Sequence, residues 1–216
     1  YSTATGRPIG NERGALDGEV RKMTVSPDGS VVLIEYDDDR LGMASSVGDS
    51  VSEFPGAPNT VSAVCFVDEG RIAALGLSDG DLQIVDVADG RILARIEGRS
   101  TSAVIAAVPL PSRTPGWTGL PRMLIVHSDG VVDIQQPGGP SDYAIETDGR
   151  LTAIAGAPFG SQFAIGSLNP EPRLQIRRPD GRLVKEFSLP GSLSSTIVAL
   201  GFTERADGLA AAFKNG

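Results

Sequence analysis

The sequence is most informative for what it has little of. One cysteine, Cys65, among 216 residues excludes an intramolecular disulfide framework and fits a reducing compartment. One histidine, His127, rules out a metal centre built on several imidazoles. No apolar run approaches the roughly 20 residues that span a bilayer as a helix, and no signal-peptide pattern opens the chain. The chain starts at Tyr1 rather than Met, so a leader or upstream domains are expected outside it. Basic charge is also in deficit: 19 Lys and Arg against 27 Asp and Glu leave a net charge of −8. Repulsion from phosphates then argues against nucleic acid or an anionic membrane as a general partner. The expectation is a cytoplasmic protein. Its basic cluster, Arg173, Arg177, Arg178, Arg182 and Lys185, reads as a solvated strand face.

Room for helices is missing too. Gly and Pro number 27 and 15 and are spread along the whole chain. The longest stretch free of both is Ser30 to Leu41, 12 residues rich in β-branched side chains and closing in Asp37-Asp38-Asp39. That composition suits a strand and turn, and short apolar segments bounded by turn chemistry continue throughout. The fold class expected is all-β.

Internal repeats narrow the architecture. Val61-Ser-Ala-Val-Cys-Phe66 matches Leu151-Thr-Ala-Ile-Ala-Gly156, Leu82-Gln-Ile84 matches Leu174-Gln-Ile176, and Asp89-Gly-Arg-Ile92 matches Asp180-Gly-Arg-Leu183. The three pairs keep their order at offsets of 90 to 92 positions. Thr24-Val-Ser-Pro-Asp-Gly29 answers Cys65-Phe-Val-Asp-Glu-Gly70 at an offset of 41, so the longer offset is two units. Four strands in a period of about 40–45 residues is the pattern of a β-propeller blade. In the second unit the strands a to d are read as 61–67, 71–77, 82–87 and 92–97, separated by turns carrying Asp68, Asp79 and Asp89. Small residues in strand b, Ala73, Ala74 and Gly76, allow close packing of neighbouring blades. The units span 1–19 in part, 20–55, 61–97, 102–147, 151–190 and 196–216 in part. The expectation is a segment of a larger ring of about seven blades.

Thr5-Gly-Arg-Pro-Ile9, Val25-Ser-Pro-Asp-Gly29 and Asp86-Val-Ala-Asp-Gly-Arg-Ile92 resemble bacterial WD40 repeats, and the resemblance covers nearly the whole chain. It implies a WD40-like propeller that holds or senses protein partners, without catalysis, cofactor or metal. It also implies membership of a larger multidomain protein, with an upstream effector domain or another chain completing the ring. Val85 replaces the family's Trp before Asp86, no Gly-His pair occurs, and the family's Asp-His-Ser-Trp tetrad cannot be assembled. A quinoprotein-like or TolB-like propeller leaves similar marks. The alternatives are a propeller enzyme, or a propeller gating a hydrolase or protease domain outside this chain.

Candidate site residues are few. His127 beside Ser128 and Asp129 does not read as a triad, because neighbours in one turn do not face one another. Asp37-Asp38-Asp39 reads as turn chemistry rather than a Ca²⁺ site. The most individual feature is a proline-rich insertion, 109–121, which lengthens the a–b connection of the third unit and carries Trp117. Tryptophan and arginine are favoured at interface centres and long loops carry function, so Trp117, Arg113 and Arg122 are the candidate partner-binding residues.

Overall fold

The computed structural model describes residues 17–46, 50–58, 60–111, 119–139, 141–147, 150–169, 171–189 and 196–214. Strands dominate, and they group by sequence unit. The first blade holds β1 (Val20–Val25), β2 (Val31–Tyr36), β3 (Leu41–Ser45) and β4 (Val51–Glu53). The second holds β5 (Val61–Phe66), β6 (Ile72–Leu77), β7 (Leu82–Asp86) and β8 (Ile92–Ile96). In the third are β9 (Val104–Leu110), β10 (Arg122–His127), β11 (Val131–Gln135) and β12 (Ser141–Glu146). The fourth has β13 (Arg150–Gly156), β14 (Phe163–Asn169), β15 (Glu171–Arg177) and β16 (Leu183–Ser188); β17 (Ile197–Phe202) and β18 (Leu209–Phe213) form a two-stranded sheet after it. The four larger sheets are antiparallel meanders in chain order.

Turn chemistry explains why each strand stops where it does. Asp68 Oδ1 accepts the amides of Gly70, Arg71 and Ile72, closing the β5–β6 turn. Asp28 plays the same part before β2, taking the Ser30 amide and the hydroxyls of Ser26 and Ser30. Glycine is obligatory at Gly80, in the β6–β7 turn: its φ is +94°, and a Cβ would lie 1.9 Å from the Ser100 carbonyl oxygen.

The core is split into layers, one between each pair of successive sheets. Leu33, Phe54, Val64 and Leu75 pack between the first and second blades. Ala74, Ile84, Val104 and Ile125 fill the next layer, and Leu124, Ile134, Phe163 and Ile165 the third. Ala164, Leu174 and Ile197 begin the fourth. Leu75 faces one layer and Ala74 the other, the alternation of a strand buried on both faces. Small residues set the spacing as the sequence suggests: a Cβ on Gly76 would sit 2.5 Å from Val104 Cγ1. Neighbouring innermost strands, β5 with β9 and β13 with β17, are in contact. Radially stacked antiparallel sheets with an inner strand each are a propeller arrangement.

Candidate functional site: the rim of the innermost strands

The start of each innermost strand lies at the same end as the b–c turns. There the five inner strands share an irregularity that the sequence pattern hides. Each skips one residue in its pairing with the next strand: Arg21, Ser62, Ile105, Thr152 and Val198. A one-residue bulge re-aims a side chain without ending the strand. The backbone device is therefore constant around the rim while the residue type changes from blade to blade.

What the bulge residue does depends on its chemistry. Ser62 Oγ donates 2.7 Å to the Val104 carbonyl, tying the second blade to the third. Arg21 reaches the Val61 carbonyl at 3.4 Å and pairs with Asp39 at 3.1 Å and Glu35 at 3.6 Å. Ile105 and Val198 are about half exposed, at 45% and 50%. Thr152 holds its hydroxyl buried with no hydrogen-bond partner.

A second polar group stiffens the third blade. His127 and Asp133 are both fully buried, and His127 Nε2 lies 3.1 Å from Asp133 Oδ2. Its Nδ1 lies 3.1 Å from the Ser102 carbonyl. Asp133 Oδ2 also accepts the Arg99 amide at 2.8 Å, and Gln135 Nε2 donates to the Glu97 carbonyl at 3.1 Å. Ser100 adds a 2.6 Å bond to Asp129. The connection from the second blade to the third is thus pinned onto β10 and β11. Burial pulls the imidazole down, but Asp133, the Ser102 carbonyl and the charge of Asp129 outweigh it, so its pKa lies above the ordinary value. Burial likewise raises the Asp133 carboxyl, and His127, the Arg99 amide and Gln135 reverse this and hold it low. Two acceptors face the ring, so the imidazolium satisfies both and the neutral ring only one. This pair supports the fold: both side chains are fully buried, at the floor of the blade's rim.

Two other titratable groups are inert for similar reasons. Burial pushes the Cys65 thiol up to about 12 against the opposing charge of Lys22, so no thiolate nucleophile forms near neutrality. Glu35, 3% exposed, is raised by burial against the opposing charges of Lys22 and Arg21, and its Oε1 accepts no hydrogen bond.

Two clefts open on the rim and meet at Arg150. One, of about 440 Å³, lies between the third and fourth blades and is bordered by Ile105, Asp129, Thr147 and Arg150. The other, of about 390 Å³, lies between the fourth and fifth and is bordered by Arg150, Thr152, Thr196, Val198 and Lys214. Asp129, held low by its bond from Ser100, gives the first cleft a negative group. The lining of the second includes two cations and no carboxylate among the described residues.

The structure separates the residues singled out by sequence. Arg122 opens β10, exposed, in register with Leu110 and therefore at the end of the blade away from the rim. Trp117 and Arg113 lie outside the described residues. Asp37 and Asp38 occupy the β2–β3 turn, with Asp38 bonded to Arg40 at 2.7 Å and Asp39 to Arg21. No group of three or more metal-ligating side chains occurs among the described residues. In the basic cluster, Arg173 pairs with Glu186 at 3.7 Å and Lys185 lies over the Phe187 ring. The rim bulges and the His127–Asp133 pair were missed by sequence reasoning. Asp133 left a trace: it stands between Val132 and Ile134 where Gln83 stands between Leu82 and Ile84.

No protein-family model matches the sequence, and no curated protein matches it. Among solved structures, the β-propeller domain of Cps50 (Swd1) from Myceliophteria thermophila superposes on 93% of this chain with a TM-score of 0.72 at 14% identity. The chain spans 64% of the length of that solved chain. It is one of 1491 solved chains that match, so the likeness speaks to fold alone. No helix among the described residues is long and apolar enough to cross a membrane. Layered antiparallel sheets, adjoining inner strands and this superposition together establish that the chain has a β-propeller fold.

Proposed function

We propose that the chain is a non-catalytic scaffold that holds or senses a protein partner, as the propeller region of a larger bacterial, cytoplasmic protein. The observation that carries this reading is the rim. Five blades repeat one backbone bulge and fill it with Arg21, Ser62, Ile105, Thr152 and Val198. A fixed frame with varied side chains suits recognition, because the ordering cost falls on the fold and the surface is free to differ. The imidazole–carboxylate pair a hydrolase would need is buried and committed to the fold. Nucleic acid and membranes remain disfavoured partners at a charge of −8.

The test is affinity capture with the full natural chain, comparing wild type with a double variant, Ile105→Glu and Val198→Glu. A reproducible protein partner, lost from the variant while its melting temperature holds, supports the reading. A partner retained equally by both forms moves recognition off the rim. Trp117, Arg113 and Arg122 are the second proposed contact, of which Arg122 lies at the end of the blade away from the rim. Trp117→Ala that leaves partner binding unchanged removes it.

A further inference from the structure

The cleft between the fourth and fifth blades is lined by two cations that make no ion pair among the described residues. Arg150 begins β13 at the position that Thr60, Ala103 and Thr196 take in the second, third and fifth blades. The alignment follows from the main-chain bonds that Ser78, Ser128 and Lys214 donate to those three residues. A cation at this rim position is therefore an addition to the repeat, not a requirement of it. Lys214 projects from the turn after β18, in the place of Ser78 and Ser128. Both side chains are exposed and line the cleft, and neither makes an ion pair among the described residues. Several other arginines are paired: Arg21 with Asp39, Arg40 with Asp38, Arg95 with Asp81 and Arg173 with Glu186.

Thr152 supplies an independent sign. At the equivalent position in the second blade, Ser62 spends its hydroxyl on the next blade's carbonyl. Thr152 lines the cleft, yet its hydroxyl is buried and idle. Rotation about its Cα–Cβ bond is the one change needed to offer that donor to an acceptor in the cleft that Thr152 lines. Thr196, at the cleft's far wall, adds a second hydroxyl. Two cations and two hydroxyl donors around a space of about 390 Å³ match a small dianion, since a guanidinium fork suits carboxylate and phosphate oxygens alike. A volume of this size falls within the usual range for small-ligand sites, about 300–1,000 Å³.

We infer that the fourth–fifth blade cleft is a binding site for a small oxyanionic ligand, held by Arg150 and Lys214 with Thr152 and Thr196 as hydroxyl donors. Nothing in this depends on the scaffold reading, and capture of a protein partner neither supports nor opposes it. The net negative charge lowers the anion concentration close to the surface, so occupancy rests on the local pair of cations and weakens with salt.

The test is a titration of the full natural chain, followed by amide chemical shifts, with inorganic phosphate in one arm and succinate in the other. Saturable binding of at least one probe is expected, with shifts clustered at 150–152 and 196–198. Arg150→Gln should weaken it at least tenfold and Lys214→Gln severalfold. Thr152→Val should weaken it severalfold while the melting temperature stays level or rises, because the lost hydroxyl had no partner in the fold. A purely structural Thr152 would instead show a lower melting temperature and unchanged binding. Arg205→Gln, an exposed cation in the β17–β18 turn at the far end of the blade, is the control and should change nothing. No saturable binding of either probe, or equal losses from Arg150→Gln and Arg205→Gln, overturns the site.

Discussion

The seam between the second and third blades and the seam between the fourth and fifth are built on one plan and finished differently. In the first, the polar groups are largely tied to one another, with Asp133 Oδ1 the exception that accepts no hydrogen bond. Ser62 bonds to Val104, the Arg99 amide bonds to Asp133, and His127 is held by acceptors at both nitrogens. In the second, the matching bulge carries a hydroxyl with no partner, and two cations face open space. The contrast shows what the repeat itself requires, which is apolar layers and small residues. The polar finish is added seam by seam, as a lock at one and as an opening at another.

The largest effect expected from breaking the lock is at Asp133. Asp133→Ala leaves the His127 imidazole buried without its anion and should cost about 3–5 kcal/mol in denaturant unfolding. Copying the second blade's solution, His127→Leu with Asp133→Gln, should recover most of that loss, since Leu77 and Gln83 occupy those places there. The same pair sets a pH dependence. His127 is raised in the folded state, so its contribution is full below the unfolded value near 6.5 and fades as pH rises through the folded one. Asp133 is lowered, so its contribution is present above about 3.8 and fades as pH falls through its folded value. Melting temperature should therefore peak between those limits and decline on the alkaline side, and the double variant should lose the alkaline decline.

Packing comes next in size. Gly76→Ala drives a Cβ into Val104, and overpacking of this kind typically costs about 1–3 kcal/mol. Ser62→Ala should cost about 1 kcal/mol, the worth of one hydrogen bond between blades. The smallest effect belongs to the open seam: Thr152→Val should change unfolding free energy by less than about 0.5 kcal/mol, or raise it. If Thr152→Val costs as much as Ser62→Ala, the two seams are equally finished and the comparison fails.

The blades were legible because a strand's information is local. Asp68, Asp79 and Asp89 announce turns, and alternating apolar residues between them need no distant partner to be read. In the second unit the strands found end within one residue of those read from sequence. The seams were not legible, because a bulge leaves no mark in composition: Arg21, Ser62, Ile105, Thr152 and Val198 share a backbone geometry and no chemistry. The hydrogen-bond partner of His127 is Asp133, across a turn in the next strand, and not the adjacent Asp129. His127, Asp133, Gln135 and the Arg99 amide build a buried network that spans two strands and an interblade connection, so no local motif announces it. Arg150 carries no distinguishing mark in the sequence; its place in the repeat puts it at the rim between two clefts.

The most direct test of this division between seams is native-state hydrogen exchange on two repeat-equivalent amides of the full natural chain. The Ser128 amide donates to the Ala103 carbonyl at 2.9 Å beside the locked seam, and the Lys214 amide donates to Thr196 at 3.0 Å beside the open one. With bond lengths so alike, any difference in protection reports the surroundings. Ser128 should exchange at least about tenfold more slowly than Lys214, and added phosphate should slow Lys214 while leaving Ser128 unchanged. Equal protection at both sites, with no response to phosphate, would contradict the account.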